Sequence, residues 1–313
     1  MRRRLNGVYR LTRFREYIFF VVVTTFIGAA AGRGTLGWPL FAVLLANWLA
    51  VGFAFMINDV EDAPDDALNP AKVHRNPVSA GDLPAHAAQG ISFGVALLAA
   101  AIYWQLGPWP FAAGLSCLVI AHLYSWRAVR LKTLPGLDLI SHGLMLAGLQ
   151  FFTAYLTFTE SPDGRWIFPF VFLVAMSIYG ELFNEMRDLE GDLRAGLKHT
   201  ASVMGPRMTQ WAMVVLLVVA AVSMVVTILV IGLIPMWVLG LLAVLEVIFL
   251  APTAWDIRGK RSALEVQAPM HVPAVHAGAI TVLIWFASPW LARWVDPVVR
   301  WLGVGGMKAF LGF

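Results

Sequence analysis

Cysteine is all but absent from this chain of 313 residues, and charge is scarce. The single cysteine, Cys117, lies inside an apolar run, which excludes a disulfide within the chain and a cysteine metal cluster. Charged residues make up 13% of the sequence against 59% hydrophobic, with a mean hydropathy of +0.72. A soluble domain of this length would need far more charge to cover its surface. From Leu36 to Ile57 there is no charged residue at all. Runs of about 18 or more apolar residues recur, each long enough to cross a hydrocarbon core about 30 Å thick. The sequence is that of an all-α integral membrane protein.

Nine transmembrane helices are expected, near 17–32, 37–57, 85–106, 108–125, 137–158, 166–184, 209–232, 234–254 and 272–292. Gly107-Pro108 and the Gly232–Pro235 stretch mark tight hairpins. The first span lacks the marks of a removable signal peptide, because no small-residue cleavage site followed by a soluble domain comes after it. The expectation is one transmembrane domain over 1–313, bundled around a central cavity that opens to the cytoplasmic side, with a basic cytoplasmic arm at 1–16.

A net charge of +4 does not point to nucleic acid here, because the basic residues follow topology. With nine spans, 18 of the 23 lysines and arginines fall on the side of the N-terminus. That bias puts this side in the cytoplasm, as in a bacterial or archaeal cell membrane. Glu246 lies inside the eighth span, where a charge calls for a partner or a proton. His122 and His142 read as polar contacts between helices.

Five carboxylates arrive within eight positions as the second span ends, Asp59 to Asp66. A second group, Glu185, Asp188, Glu190 and Asp192, leaves the sixth span. Four spans separate the two groups, so both face the same compartment. In the first, Asn58, Asp62 and Asp66 recur every fourth residue and form one stripe of a helix, bordered by Asp59. Asn184, Asp188 and Asp192 repeat the spacing, with Glu181 one turn inward. Like charges four apart on a helix repel by roughly 0.2–0.5 kcal/mol per pair, so two such stripes make sense around a cation. Neither stripe contains His or Cys. Oxygen-only ligands suit a hard ion such as Mg²⁺, which shares its shell with substrate phosphates. Pro64 falls inside the first stripe, where a kink or a fresh helix start is expected. Lys72, Arg75, Arg130, Lys132 and Lys198 surround the stripes in sequence and suit a diphosphate.

These segments resemble the UbiA-type superfamily of membrane prenyltransferases. Asn58 to Asp66 is similar to that family's N-D-x-x-D-x-x-x-D, and "NPVSAG" at 76–81 to its R-P-[LI]-x-[SA]-G segment, with Asn76 in place of arginine. "NEMRDLEGDLRAGLKHTASVMG" at 184–205 resembles its second acidic motif, and "YSWRAVRLK" at 124–132 the residues after its fourth helix. "DALNPAK" at 66–72 is similar to the subgroup acting on carotenoids. The resemblance implies Mg²⁺ held by Asn58, Asp62, Asp66, Asn184, Asp188 and Asp192. It implies Arg13, Lys72, Arg75, Arg130, Lys132 and Lys198 against the diphosphate, and Tyr124 near the reacting carbon. The implied activity is transfer of a polyprenyl group from an allylic prenyl diphosphate to a lipophilic acceptor such as a quinone-ring precursor or a carotenoid. Ionisation to an allylic cation would release diphosphate, and Asp59 or Asp62 would take the final proton. Phe53, Phe55 and Phe183 are further aromatic candidates beside the cation. The same site would serve a terpene cyclase, and a cation transporter is a remote alternative.

Overall fold

A computed structural model describes residues 2–68, 70, 72–159, 161–194, 196–260 and 263–301; the side chains of 2, 3, 192, 194, 263, 264 and 294–301 are outside the description. The described chain is helical. In order it forms α1 (Arg2–Thr12), α2 (Ile18–Ala31), α3 (Trp38–Asp66), α4 (Ala85–Leu106), α5 (Pro108–Ser125) and α6 (Leu137–Gly143). A π-helical turn at Leu144–Gly148 joins α6 to α7 (Leu149–Phe158). There follow α8 (Ile167–Arg194), α9 (Thr200–Leu229), α10 (Met236–Leu250), α11 (Thr253–Asp256) and α12 (Ala263–Trp301).

Each of the nine expected spans is helical, and lipid explains why: no other open-ended structure satisfies its own backbone there. Six helices are long and apolar enough to cross a membrane, and a seventh arises if Arg4–Glu16 and Ile18–Ala31, bent by 50°, form one span. α5 and α10 are shorter, at 18 and 15 residues. The basic arm is not a loose tail. It forms α1 and a 3₁₀ turn at Phe14–Glu16, docked through Arg10 to Asp82 at 2.5 Å.

Close approach and buried amides hold the bundle. A Cβ on Gly28 would lie 2.4 Å from the Phe151 carbonyl oxygen, so only glycine lets α2 meet α7 here. Asn47, fully buried on α3, donates to Thr25 Oγ1 of α2 at 2.9 Å and to the Gln150 carbonyl of α7 at 3.1 Å. Its own oxygen accepts from Tyr103 of α4 at 2.6 Å and Thr153 of α7 at 2.8 Å. One amide thus ties four helices. This knot has no sequence motif to announce it.

The two helices that carry the acidic motifs continue beyond their apolar spans, as the helical spacing of the stripes expects. α3 continues past Ile57 to Asp66, and α8 continues past Asn184 to Arg194. α3 also runs through Pro64 without a new helix starting there. Proline removes the intrahelical donor to the Val60 carbonyl, and one residue earlier Asn76 Nδ2 donates to the Asp59 carbonyl at 2.7 Å. Ser79 Oγ donates to the Ala63 carbonyl at 2.9 Å. The "NPVSAG" segment therefore wraps and caps the end of α3.

Candidate active site

The end of α3 is a cradle of oxygens around one ammonium. Lys132, in the loop after α5, places Nζ 2.8 Å from Asn58 Oδ1 and 2.6 and 2.5 Å from the two oxygens of Asp62. Arg130 donates from Nη2 to Asp62 at 3.0 Å and to Asp65 at 2.8 Å. Arg127 reaches the same Asp65 at 2.8 Å. Burial lowers the Lys132 pKa below the ordinary lysine value, with Asp62 pulling the other way. For Arg130, burial opposes the charge, but Asp65 and Asp62 outweigh it and hold the pKa above the arginine value.

Asp59 faces the other flank of α3 and is buried beside Arg13, whose Nη1 lies 3.4 Å from Oδ1. Arg13 also bonds Glu16 and lies over the Phe55 ring, 4.7 Å from its centroid. Arg75 bonds Glu16 at 3.1 Å, so Glu16 joins two of the expected phosphate donors. Asp66 accepts from Asn76 Nδ2 at 2.9 Å. Arg13 and Arg130 share a further feature: both hold left-handed backbone, at φ 46° and 50°. For a residue with a Cβ this conformation costs about 1–2 kcal/mol, which the contacts to the α3 carboxylates offset.

The second motif has a different setting. Asn184 is exposed, Asp188 pairs with its neighbour Arg187 at 3.1 Å, and the Asp192 side chain lies outside the described residues. Lys72 and Lys198 are exposed. The inward face of α8 carries Glu181 and Glu185 instead. Tyr124 OH donates to Glu181 Oε1 at 2.6 Å, and His142 Nε2 lies 3.2 Å from Glu181 Oε2. Glu185 Oε2 accepts from the Ala201 backbone N–H at 2.8 Å and lies 3.2 Å from His199 Nδ1. Asp138 accepts from Thr200 N at 2.6 Å, so two buried carboxylates clamp the start of α9, where the helix dipole favours negative charge.

The two motifs are joined through α5. Ser125 Oγ donates to Asn58 Oδ1 at 3.1 Å, while its neighbour Tyr124 bonds Glu181. Glu16 also acts through space on Arg187. Among the described residues no three His, Cys, Asp or Glu side chains converge as a metal cluster. Asn58 and Asp62 nonetheless present three oxygens to one cation, the Lys132 ammonium. Hard oxygen donors of this kind fit Mg²⁺ completed by substrate oxygens. Sequence reasoning missed Ser125, Glu16 and the structural task of Asn76. A separate cavity of about 460 Å³, lined by Leu139, Ile178, Leu182, Met204, Met208 and Trp211 among others, opens between α6, α8 and α9 away from the polar cluster.

The sequence profile of the UbiA prenyltransferase family matches residues 20–272. The chain belongs to that family. A UbiA homologue from Archaeoglobus fulgidus, solved bound to GPP and Mg²⁺, shares the fold with a TM-score of 0.64 at 19% identity, over 88% of this chain and 99% of that one. The lycopene elongase/hydratase of Haloferax volcanii is 33% identical over 67% of this chain and 68% of its own length. The bacteriochlorophyll synthase 33 kDa chain of Rhodobacter capsulatus is 32% identical over 54% of this chain. That match spans 56% of the relative's length.

Proposed function

We propose that this UbiA-family member transfers a polyprenyl group from an allylic prenyl diphosphate to a lipophilic acceptor, with Mg²⁺ as cofactor, at the cytoplasmic face of the membrane. The observation that carries the reading is the three-oxygen cradle of Asn58 and Asp62 at the polar end of an apolar bundle. Asn58, Asp62 and Asp66 on α3, with Asn184, Asp188 and Asp192 on α8, are the residues that would hold the metal. Bound there, Mg²⁺ supplies Lewis-acid neutralisation of the leaving diphosphate.

The remaining chemistry belongs to the chain. Lys132 and Arg130, now held by Asp62, are the cations in reach of diphosphate oxygens once a metal takes the carboxylate. Arg13, Arg75, Lys72 and Lys198 are the further donors assigned to the diphosphate. The C–O bond breaks with its electron pair on the diphosphate, leaving a delocalised allylic cation. Tyr124, fixed by its bond to Glu181, offers an aromatic face to that cation. Phe55 is engaged by Arg13, and Phe183 packs into the cluster with Tyr179, Leu182 and Met213, which leaves Tyr124 the better placed ring. Burial beneath the headgroups keeps water from the cation until the acceptor arrives.

Purified protein in lipid, with Mg²⁺, labelled geranylgeranyl diphosphate and a panel of lycopene, a chlorin carboxylate, a phenolic ring acid and a glyceryl phosphate lipid, tests this directly. Acceptor-dependent diphosphate release that EDTA abolishes is the expected result. Release of diphosphate with a cyclic hydrocarbon and no acceptor requirement would replace transfer by cyclisation. No release under any condition would overturn the reading.

A further inference from the structure

Carboxylates near the cradle differ in their company. Asp59 faces Arg13, Asp62 faces Lys132 and Arg130, and Asp65 faces Arg127 and Arg130. A guanidinium or ammonium in contact occupies the lone pairs that a carboxylate would use to take a proton. Glu181 is the exception on the α5-facing side. Its contacts are a phenol at 2.6 Å and an imidazole at 3.2 Å, and among the described residues no lysine or arginine touches it. Arg187 acts on it only through space. His142 is oriented in turn by Ser177, whose Oγ lies 3.3 Å from Nδ1. With Ser177 donating to Nδ1, the imidazole proton sits on Nε2 and points at Glu181. Both side chains keep some exposure, 14% for Glu181 and 12% for His142, so the pair is shielded without being sealed.

Its depth is also distinctive. Glu181 precedes Asp188 by seven residues of α8, about 10 Å along the helix toward its apolar part at 1.5 Å per residue. Tyr124 bonds it from the position next to Ser125, which touches Asn58 of the cradle. A proton acceptor is therefore placed below the diphosphate end, on the side where the hydrocarbon part of a substrate would lie.

The geometry points to Glu181 as the group that takes the proton released at the end of prenyl transfer, with Tyr124 and His142 holding its carboxylate in place. The inference rests on the transferase reading and deepens it. In the step concerned, the electron pair of the acceptor's double bond, ring or hydroxyl forms the bond to the allylic carbon. The adjacent C–H or O–H bond then breaks, its electron pair stays with the product, and the proton passes to Glu181. A carboxylate acceptor, already ionised, releases no proton and has no use for such a base. The acceptor class assigned is thus a neutral lipid-soluble nucleophile that gives up a proton on prenylation. Asp59 lies on the other flank of α3 against Arg13, and both oxygens of Asp62 are engaged by Lys132, so neither is placed beside Tyr124 as Glu181 is.

The test compares wild type with E181Q and H142Q, each checked by gel filtration and thermal unfolding, with lycopene and a chlorin carboxylate as separate acceptors. Wild type should prenylate the neutral acceptor. E181Q should lower that product about 100-fold, with diphosphate release falling less and the cation captured by water, so the ratio of prenylated product to diphosphate drops. H142Q should move the same ratio in the same direction by a smaller factor, and it serves if E181Q does not fold. An unchanged ratio in both variants would overturn the inference while leaving transfer itself intact. Wild-type turnover of the chlorin carboxylate alone would overturn the acceptor class. Absence of product from wild type with every acceptor would remove the transferase reading beneath it.

Discussion

The two acidic helix ends share a spacing and differ in their surroundings. On α3, the carboxylates are clamped by Arg13, Arg127, Arg130 and Lys132. On α8, the inward carboxylates Glu181 and Glu185 meet a phenol, two imidazoles and a backbone amide. Asp59, Asp62 and Asp65 thus each have a cationic side chain in contact. The same i,i+4 pattern thus sits in two settings, with cationic side chains around the end of α3 and neutral partners on the inward face of α8, and the cations of the arm and the loop after α5 make the difference.

Removing charge from each end should separate them. The largest effect is expected from Asp62→Ala and Asp188→Ala, each lowering diphosphate release by at least about 100-fold while the protein stays folded, as loss of an electrostatic stabiliser does. Release rates and unfolding curves measure this. A dead Asp62→Ala beside a fully active Asp188→Ala would confine the cation site to α3. Arg130→Ala should raise KM for the prenyl diphosphate by about tenfold with a smaller change in kcat, since it removes one charge-assisted donor. Steady-state kinetics over a range of diphosphate concentrations would show the split.

Asn76→Ala acts on the scaffold of the first end. It removes the side-chain donor to the Asp59 carbonyl and to Asp66 and should destabilise the protein by about 1–3 kcal/mol, read as a lower unfolding midpoint. Ser125→Ala should cost least, about 0.5–1.5 kcal/mol, because Lys132 still holds Asn58 Oδ1.

Much of this architecture was legible in the sequence because lipid leaves few choices. Every expected apolar run is helical, and the polar stripe Asn58-Asp62-Asp66 could be placed on one helix face by arithmetic alone. What periodicity cannot give is the partner. His142 and Glu181 are 39 positions apart, and nothing in either local pattern announces their contact. Asn47 and Asn76 each look like an isolated amide in sequence and prove to be knots between distant segments. α3 and α8 outlast their apolar runs as the polar stripes expect, with the capping loop at 76–81 supplying contacts at the end of α3 that hydropathy does not see. The start of α9 at Thr200 depends on Asp138 and Glu185, both remote in sequence from the cap they make.

The most direct measurement is Mg²⁺-dependent diphosphate release from geranylgeranyl diphosphate by wild type and by Asp62→Asn, which keeps the shape of the side chain and removes its charge. The cradle requires saturable, EDTA-sensitive release in wild type and almost none in the variant. Release by Asp62→Asn at the wild-type rate, over the same range of Mg²⁺, would contradict it.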